Sequence, residues 1–429
     1  MKGMFRLFLS AATAALIAGG YAVPADAQRG RQQAAPAVKL SKPVQSALAK
    51  VDPNLKAAQA AQQAGDEAKQ RAEAQAVLGG VREAEALPNL SADDMFVINQ
   101  FKLNAGILLA DRQVQEEALE GMLASGRVPE ADQPTFIRNI GALALQRNDN
   151  QKALQQFERL IQMTPDDAQL QVEVAELLRR NNQNQRAIAM LQGAIRAQEK
   201  DGGKADESWY RRALAIAYDS KLLPETVATS EALVRAYPNA TNWRDVLVIH
   251  RENSRLDEQG ELDLLRLMRT AGALAGERDF GEYAETAARR GLPGEAKAVL
   301  DEGVAKNMLN RTQPFVREID QAVSPRIASD RNSLPGLERE ARAANNGRLA
   351  LGTADAHLGY GNYDKAAELY ELALQKGGVD ADTVHLRRGM ALARAGNSEA
   401  ARSAFKAVGQ QGPRSQLARF WQIWLDNRG

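Results

Sequence analysis

"FIRNIGALALQRNDNQKALQQFERLIQMTP", running from Phe136 to Pro165, places Ile137, Ile140, Gly141 and Ala144 on one face of a helix. Asn148-Asp149-Asn150 then reads as a turn, and Ala153, Phe157, Leu160 and Ile161 form the apolar face of a second helix that Pro165 ends. A step of about 34 residues carries Gly141 to Ala175, Ala153 to Ala187, Phe157 to Leu191 and Leu160 to Ala194. Small or apolar residues refill every slot. In "GNYDKAAELYELALQKGG", from Gly361, the second-helix positions hold Ala366, Tyr370 and Ala373, and Ala354 stands where Gly141 did. One period on come Gly389, the turn Gly396-Asn397, Ala401, Phe405 and Val408. Another copy lies at "FGEYAETAARRGLPGEAKAVLDEG", where Phe280, Tyr283 and Ala284 precede a turn at Gly291, and Ala296 and Leu300 follow. Small residues let paired antiparallel helices approach, and large ones fill the space between neighbouring hairpins. The pattern is core packing, not a cofactor box.

These units resemble tetratricopeptide repeats. The resemblance implies an all-α fold of helical hairpins stacked into a curved solenoid. Between them the grammar weakens. The stretches from Met95 to Gly126, from Glu207 to Asn239 and from Thr241 onward read as degenerate hairpins, with Trp243 near the start of the last. Arg311 to Asn345 holds Pro314, Pro325 and Pro335 and reads as an irregular pair of helices or a joint between two arrays. Taken whole, the chain resembles exported repeat proteins of alphaproteobacteria, which implies a fold and a compartment but no activity.

The N-terminus carries the other specific signal. Lys2 and Arg6 precede an apolar core from Leu7 to Ile17, and small residues lead to Ala25-Asp26-Ala27. That order describes a secretory signal peptide cleaved after Ala27; the apolar core is well short of the ~20 residues that span a membrane. The expected location is periplasmic or secreted, without stable membrane insertion. The chain contains no cysteine, so disulfides, thiol nucleophiles and cysteine metal sites are excluded, as is lipid attachment at a cysteine. The expected organisation is therefore a signal peptide over 1–27 and a flexible leader over 28–45, followed by degenerate helical repeats over 46–130 and a repeat pair over 131–200. Degenerate and repeat-like units follow over 201–310, then the irregular joint over 311–345, a second repeat pair over 346–412 and a capping helix over 413–429. Within 46–130, "LKAAQAAQQAGDEAKQRAEAQAVLGGVREAEAL" is rich in strong helix formers, with Gly65-Asp66 as the turn between two helices.

Enzyme chemistry finds no foothold. His250, His357 and His385 are the only histidines, and they show no H-E-x-x-H or paired metal-ligand spacing. No G-x-S-x-G elbow occurs, and "GYGNY" from Gly359 is a turn rather than a phosphate loop. Carboxylates such as those of "DEQGELD", from Asp257, read as a solvated helix face. A formal net charge of +1 gives no bulk attraction for nucleic acid or an anionic membrane. No cofactor, catalytic residue or metal site is expected.

Binding remains. In a stacked array the first helices line the concave surface. Repeat phase points Arg138 and Ala142, then Val172 and Glu176, into that surface, with Arg179 at its edge. Leu351, Asp355, Leu386 and Met390 follow, with Arg394 near the edge. A lining that mixes apolar and charged side chains suits a protein or peptide partner of the cell envelope. The expected function is a non-catalytic periplasmic interaction scaffold or adaptor. The alternatives are a holdase-like assembly factor for envelope or secreted proteins and, from a different class, a wall-degrading enzyme carrying a helical superhelix.

Overall fold

The computed structural model describes residues 38–200 and 202–428. The expected signal peptide and most of the expected leader lie outside them. Every regular element among the described residues is a helix, and the chain divides into two compact units, one ending at Ala205 and the next starting at Asp206.

The first unit is a run of four hairpins: α1 (Lys42–Ala64) with α2 (Glu67–Glu85), α3 (Ala92–Leu108) with α4 (Arg112–Ala124), α5 (Gln133–Gln146) with α6 (Asn150–Met163), and α7 (Ala168–Arg180) with α8 (Asn184–Glu199). The chain turns at Gly65-Asp66 as expected: Gly65 closes α1 at φ +74° and Asp66 caps α2. α1 begins at Lys42, inside the segment expected to be a flexible leader, with a proline in its first turn where a missing N–H costs nothing. Val44, Leu48, Val51 and Leu55 bury its inner face against Val77 and Val81 of α2.

The second unit contains α9 (Glu207–Asp219), α10 (Leu223–Ala236), α11 (Ala240–Asn253), α12 (Glu258–Thr270), α13 (Gly276–Arg289), α14 (Pro293–Ala305), α15 (Pro314–Ala343), α16 (Arg348–Gly359), α17 (Tyr363–Lys376), α18 (Ala381–Arg394), α19 (Ser398–Lys406) and α20 (Pro413–Asp426). Residues 314–343 form one continuous helix, not the irregular pair of helices expected from the prolines. Pro325 and Pro335 both sit on the exposed side of α15. There water can satisfy the carbonyls of Gln321 and Arg331 that lose their helical N–H partners.

Two devices recur in both units. At the hairpin turns a residue in the left-handed region is followed by a side-chain cap. Asn148 (φ +64°) precedes Asp149, which accepts from the Lys152 amide, and Gly396 (φ +87°) precedes Asn397, which accepts from the Ala400 amide. The second device is the close helix approach. A Cβ added to Gly141 would lie 2.7 Å from the ring of Phe157, and one added to Gly389 would collide with the ring of Phe405. Each glycine thus seats the phenylalanine of its partner helix. Ala153, Ala187, Ala366 and Ala401 are fully buried in the small-residue slots.

Candidate functional site

In the first unit, α5 and α7 carry the residues expected to face a partner. Arg138 donates to Asp167 at 2.9 Å, and the same carboxylate caps α7 by accepting from the Leu170 amide. Two turns farther along α7, Glu176 accepts from Arg179 at 2.8 and 3.0 Å and from Arg180 at 3.1 Å. Hydrogen bonds from Arg179 outweigh burial and, with Arg180, hold the Glu176 carboxyl down at about 2. The Arg179 and Arg180 side chains are about half exposed, at 47% and 53%. Ala142 and Val172, expected to line the same surface, are buried. The charged residues therefore form two small clusters open to solvent.

The second unit treats the corresponding residues differently. α12 is buried on every side from Leu262 to Met268, so Asp263 is sealed from water and Arg266 nearly so. They are satisfied by an ion network instead. Arg266 donates to Asp263 at 2.8 Å and forks onto Glu295 of α14 at 2.8 and 2.7 Å, while Tyr283 of α13 donates to the same Glu295 at 2.7 Å. Arg387 of α18 reaches Asp263 at 3.0 and 3.1 Å and Asp355 of α16 at 2.8 Å, and Tyr370 of α17 completes Asp355 at 2.6 Å. Burial works against the Arg266 charge, but Glu295 and Asp263 overcome it and raise the group well above its ordinary value. Burial likewise pushes the Glu295 carboxyl up, and Arg266 and Tyr283 outweigh it so that it stays ionised.

Asp355 thus faces inward but is held by Arg387 and Tyr370, and Met390 is 1% exposed. α20 packs alongside α18 and α19. Phe405 of α19 stacks on Trp421 with centroids 5.9 Å apart, so the helix seals the last hairpin. It also reaches the early helices of the unit. Phe420 meets Trp243 and His250 edge-on at 6.2 and 5.6 Å, Gln416 donates to Glu231 of α10 at 2.9 Å, and Asn427 just beyond the helix donates to the Val234 carbonyl at 2.9 Å. Arg419 and Asp426 of this helix bond to Glu231 and Arg402 respectively.

Between α12, α14, α16, α18 and α20 lies a recess of about 220 Å³, whose wall includes Arg269, Tyr283, Tyr363, Met390, Arg394 and Trp421. Arg394 donates to Thr270 at 3.1 Å and to the Tyr363 hydroxyl at 2.8 Å and lies over the Tyr363 ring at 5.0 Å. Of the candidate residues, Arg394 and Met390 are thus brought together at one recess; Arg138, Glu176 and Arg179 belong to the first unit. His250 and His357 are packed into the fold. His357 is buried against Glu338 at 3.0 Å, and burial, aided by Arg419, lowers His250 to about 4. Among the described residues no group of three or more acidic or histidine side chains could hold a metal ion. None of their helices is long and apolar enough to cross a membrane.

The buried network escaped the sequence reading, which took the carboxylates after Asp257 as solvated. A signal was present in "LDLLRLM", Leu262 to Met268, where Asp263 and Arg266 stand three residues apart on one helix face, hemmed in by five large apolar residues.

An all-α array of helical hairpins defines a helical repeat protein of the solenoid class. Two segments, 138–202 and 351–416, match the tetratricopeptide repeat family, and they coincide with the two hairpin pairs in which the glycine–phenylalanine seats occur. Among solved structures, the chain is similar to a tetratricopeptide repeat protein from Parabacteroides merdae at 11% identity and a TM-score of 0.27, covering 80% of this chain and 98% of that one. It is also similar to yeast Tom70 at 11% identity and a TM-score of 0.20, covering 79% of this chain and 89% of that one. No curated protein matches the chain.

Proposed function

We propose that this chain is a non-catalytic protein-interaction scaffold whose partner docks on the first unit, acting in the periplasm on a protein of the cell envelope. Tetratricopeptide repeats present helix faces to protein partners, and both matched segments supply such faces. The observation that carries the choice of unit is the contrast in coverage. Arg179 is exposed and Arg138 and Glu176 are partly so, whereas Met390 and Arg387 are closed over by contacts inside their own unit, where Arg394 is the exposed candidate. The compartment rests on the charged, apolar and small-residue order before Ala27 and on the resemblance to exported repeat proteins.

A photocrosslinking residue placed at Arg138 or Arg179, in cells, is expected to capture an envelope protein, and one at the half-buried Leu351 of the second unit is expected to capture none. Adducts from Leu351 alone would reverse the assignment of the face. N-terminal sequencing of the periplasmic fraction should begin at Gln28. An intact Met1 chain recovered from the cytosol would remove both the compartment and the envelope partner.

A further inference from the structure

We propose that the recess bounded by α12, α14, α16, α18 and α20 binds a small organic carboxylate, anchored by Arg394. The wall cations differ in what neutralises them. Arg266 is paired with Asp263 and Glu295, and Arg269 with Glu302 at 2.6 Å. Arg394 has no carboxylate partner among the described residues; its hydrogen bonds go to two hydroxyls, and its plane is fixed over the Tyr363 ring. A guanidinium has five N–H donors in a rigid fork that matches a carboxylate. Two hydroxyl contacts leave part of that fork unused.

Two further donors lack acceptors. The Tyr363 oxygen accepts from Arg394, which leaves its own O–H to donate. Trp421 is 1% exposed, and its indole N–H has no partner even though the side chain lines the recess. A buried indole N–H ordinarily finds an acceptor. Unsatisfied donors beside an unneutralised cation call for an acceptor-only, negatively charged group. Both oxygens of Glu295 on the same wall are already engaged, forked by Arg266 and accepting from Tyr283.

Size and charge narrow the occupant. The volume of about 220 Å³ falls below the ~300 Å³ at which drug-sized pockets begin, so an extended peptide does not fit. One unpaired cation matches one negative charge, which favours a monocarboxylate over a phosphate dianion. Tyr283, Tyr360, Tyr363 and Trp421 offer flat apolar surface to the rest of the molecule. This inference does not depend on the docking reading above.

The test is calorimetric titration of the full chain with benzoate, with benzamide as the uncharged counterpart and inorganic phosphate as the more highly charged anion. Benzoate should bind roughly tenfold or more tightly than benzamide, and Arg394→Gln should weaken it by a similar factor, the scale of one lost charged hydrogen bond. Trp421→Phe keeps a ring and removes the N–H, and should weaken benzoate several-fold. Arg394→Lys restores the charge without the fork and should recover part of the loss, which separates ligand contact from any effect of the substitution on folding. Equal binding of benzoate and benzamide, no measurable binding of benzoate or propionate, tighter binding of phosphate, or indistinguishable affinities for the wild type and the Gln and Lys variants would each overturn the assignment.

Discussion

The two segments that match one repeat family, 138–202 and 351–416, share their hairpins, their turn chemistry and their glycine–phenylalanine seats. They differ in what meets the inner face. In the first segment the charges on that face pair with neighbours on the same helix or at the start of the next hairpin and stay at least partly exposed to water. In the second they pair across the unit, Arg387 to Asp263 at 3.0 Å, and α20 packs beside them. Repeat grammar encodes the hairpin and leaves free the use of its inner face. One pair presents a surface; the other has become core.

The sharpest way to break that contrast is to remove α20. A chain ending before Gln416 loses Phe420, Trp421 and Trp424, all buried, and a single buried Phe or Trp removal already costs about 3–5 kcal/mol. The truncated chain should melt at much lower temperature and take up an apolar dye, with the gain confined to the second unit by hydrogen exchange. An unchanged melt would return α20 to a surface docking element.

Next comes the ion network. Arg387→Ala leaves Asp263, which is 0% exposed, with Arg266 as its one cation and Asp355 with only the Tyr370 hydroxyl, and should destabilise by about 3–5 kcal/mol in denaturant titrations. Arg138→Ala removes a partly exposed pair and should cost under about 1 kcal/mol. Similar losses for both would erase the difference between the two faces.

A third measurement uses pH. His250 titrates near 4 in the folded chain against an ordinary 6.5, because burial and then Arg419 disfavour its charge. Its contribution is therefore complete above about pH 6.5 and fades as pH falls toward 4, because the unfolded chain takes up the proton first; the total is about 3 kcal/mol. The melting temperature of the wild type should fall more steeply over that window than that of His250→Phe. Parallel slopes would place His250 in water, away from Phe420.

The smallest expected effect tests what the two segments share. Ala153→Leu in one and Ala401→Leu in the other should each overpack a helix pair by about 1–3 kcal/mol. A marked difference between them would mean that the small-residue slot is not equivalent in the two pairs.

Much of this architecture is readable locally. Asn148, Gly361 and Gly396 announce turns because a left-handed residue has few other uses, and Gly141 and Gly389 announce close helix approach. Other features are not local. Pro325 and Pro335 break a helix or ride on it depending on which side faces water, and no pattern within α15 says which. Asp355 obeys repeat phase and still is no open groove residue, because Arg387 and Tyr370 hold it. A capping helix is expected over 413–429, but its reach to α10 and α11 depends on residues nearly 200 positions earlier, such as Val234.

The bonds across the second unit also set how it folds. Repeat arrays usually behave as one-dimensional chains in which units nucleate anywhere and fray from their ends. The first unit has that character, since its substantial helix contacts join elements one or two places apart. In the second, links such as Asn427 to Val234 and Arg387 to Asp263 tie late helices to early ones. Closing those loops raises the contact order and slows the search. Once closed, no hairpin can open without straining the others. The first unit should therefore exchange its amide hydrogens in a gradient from the ends inward, and the second nearly all at once.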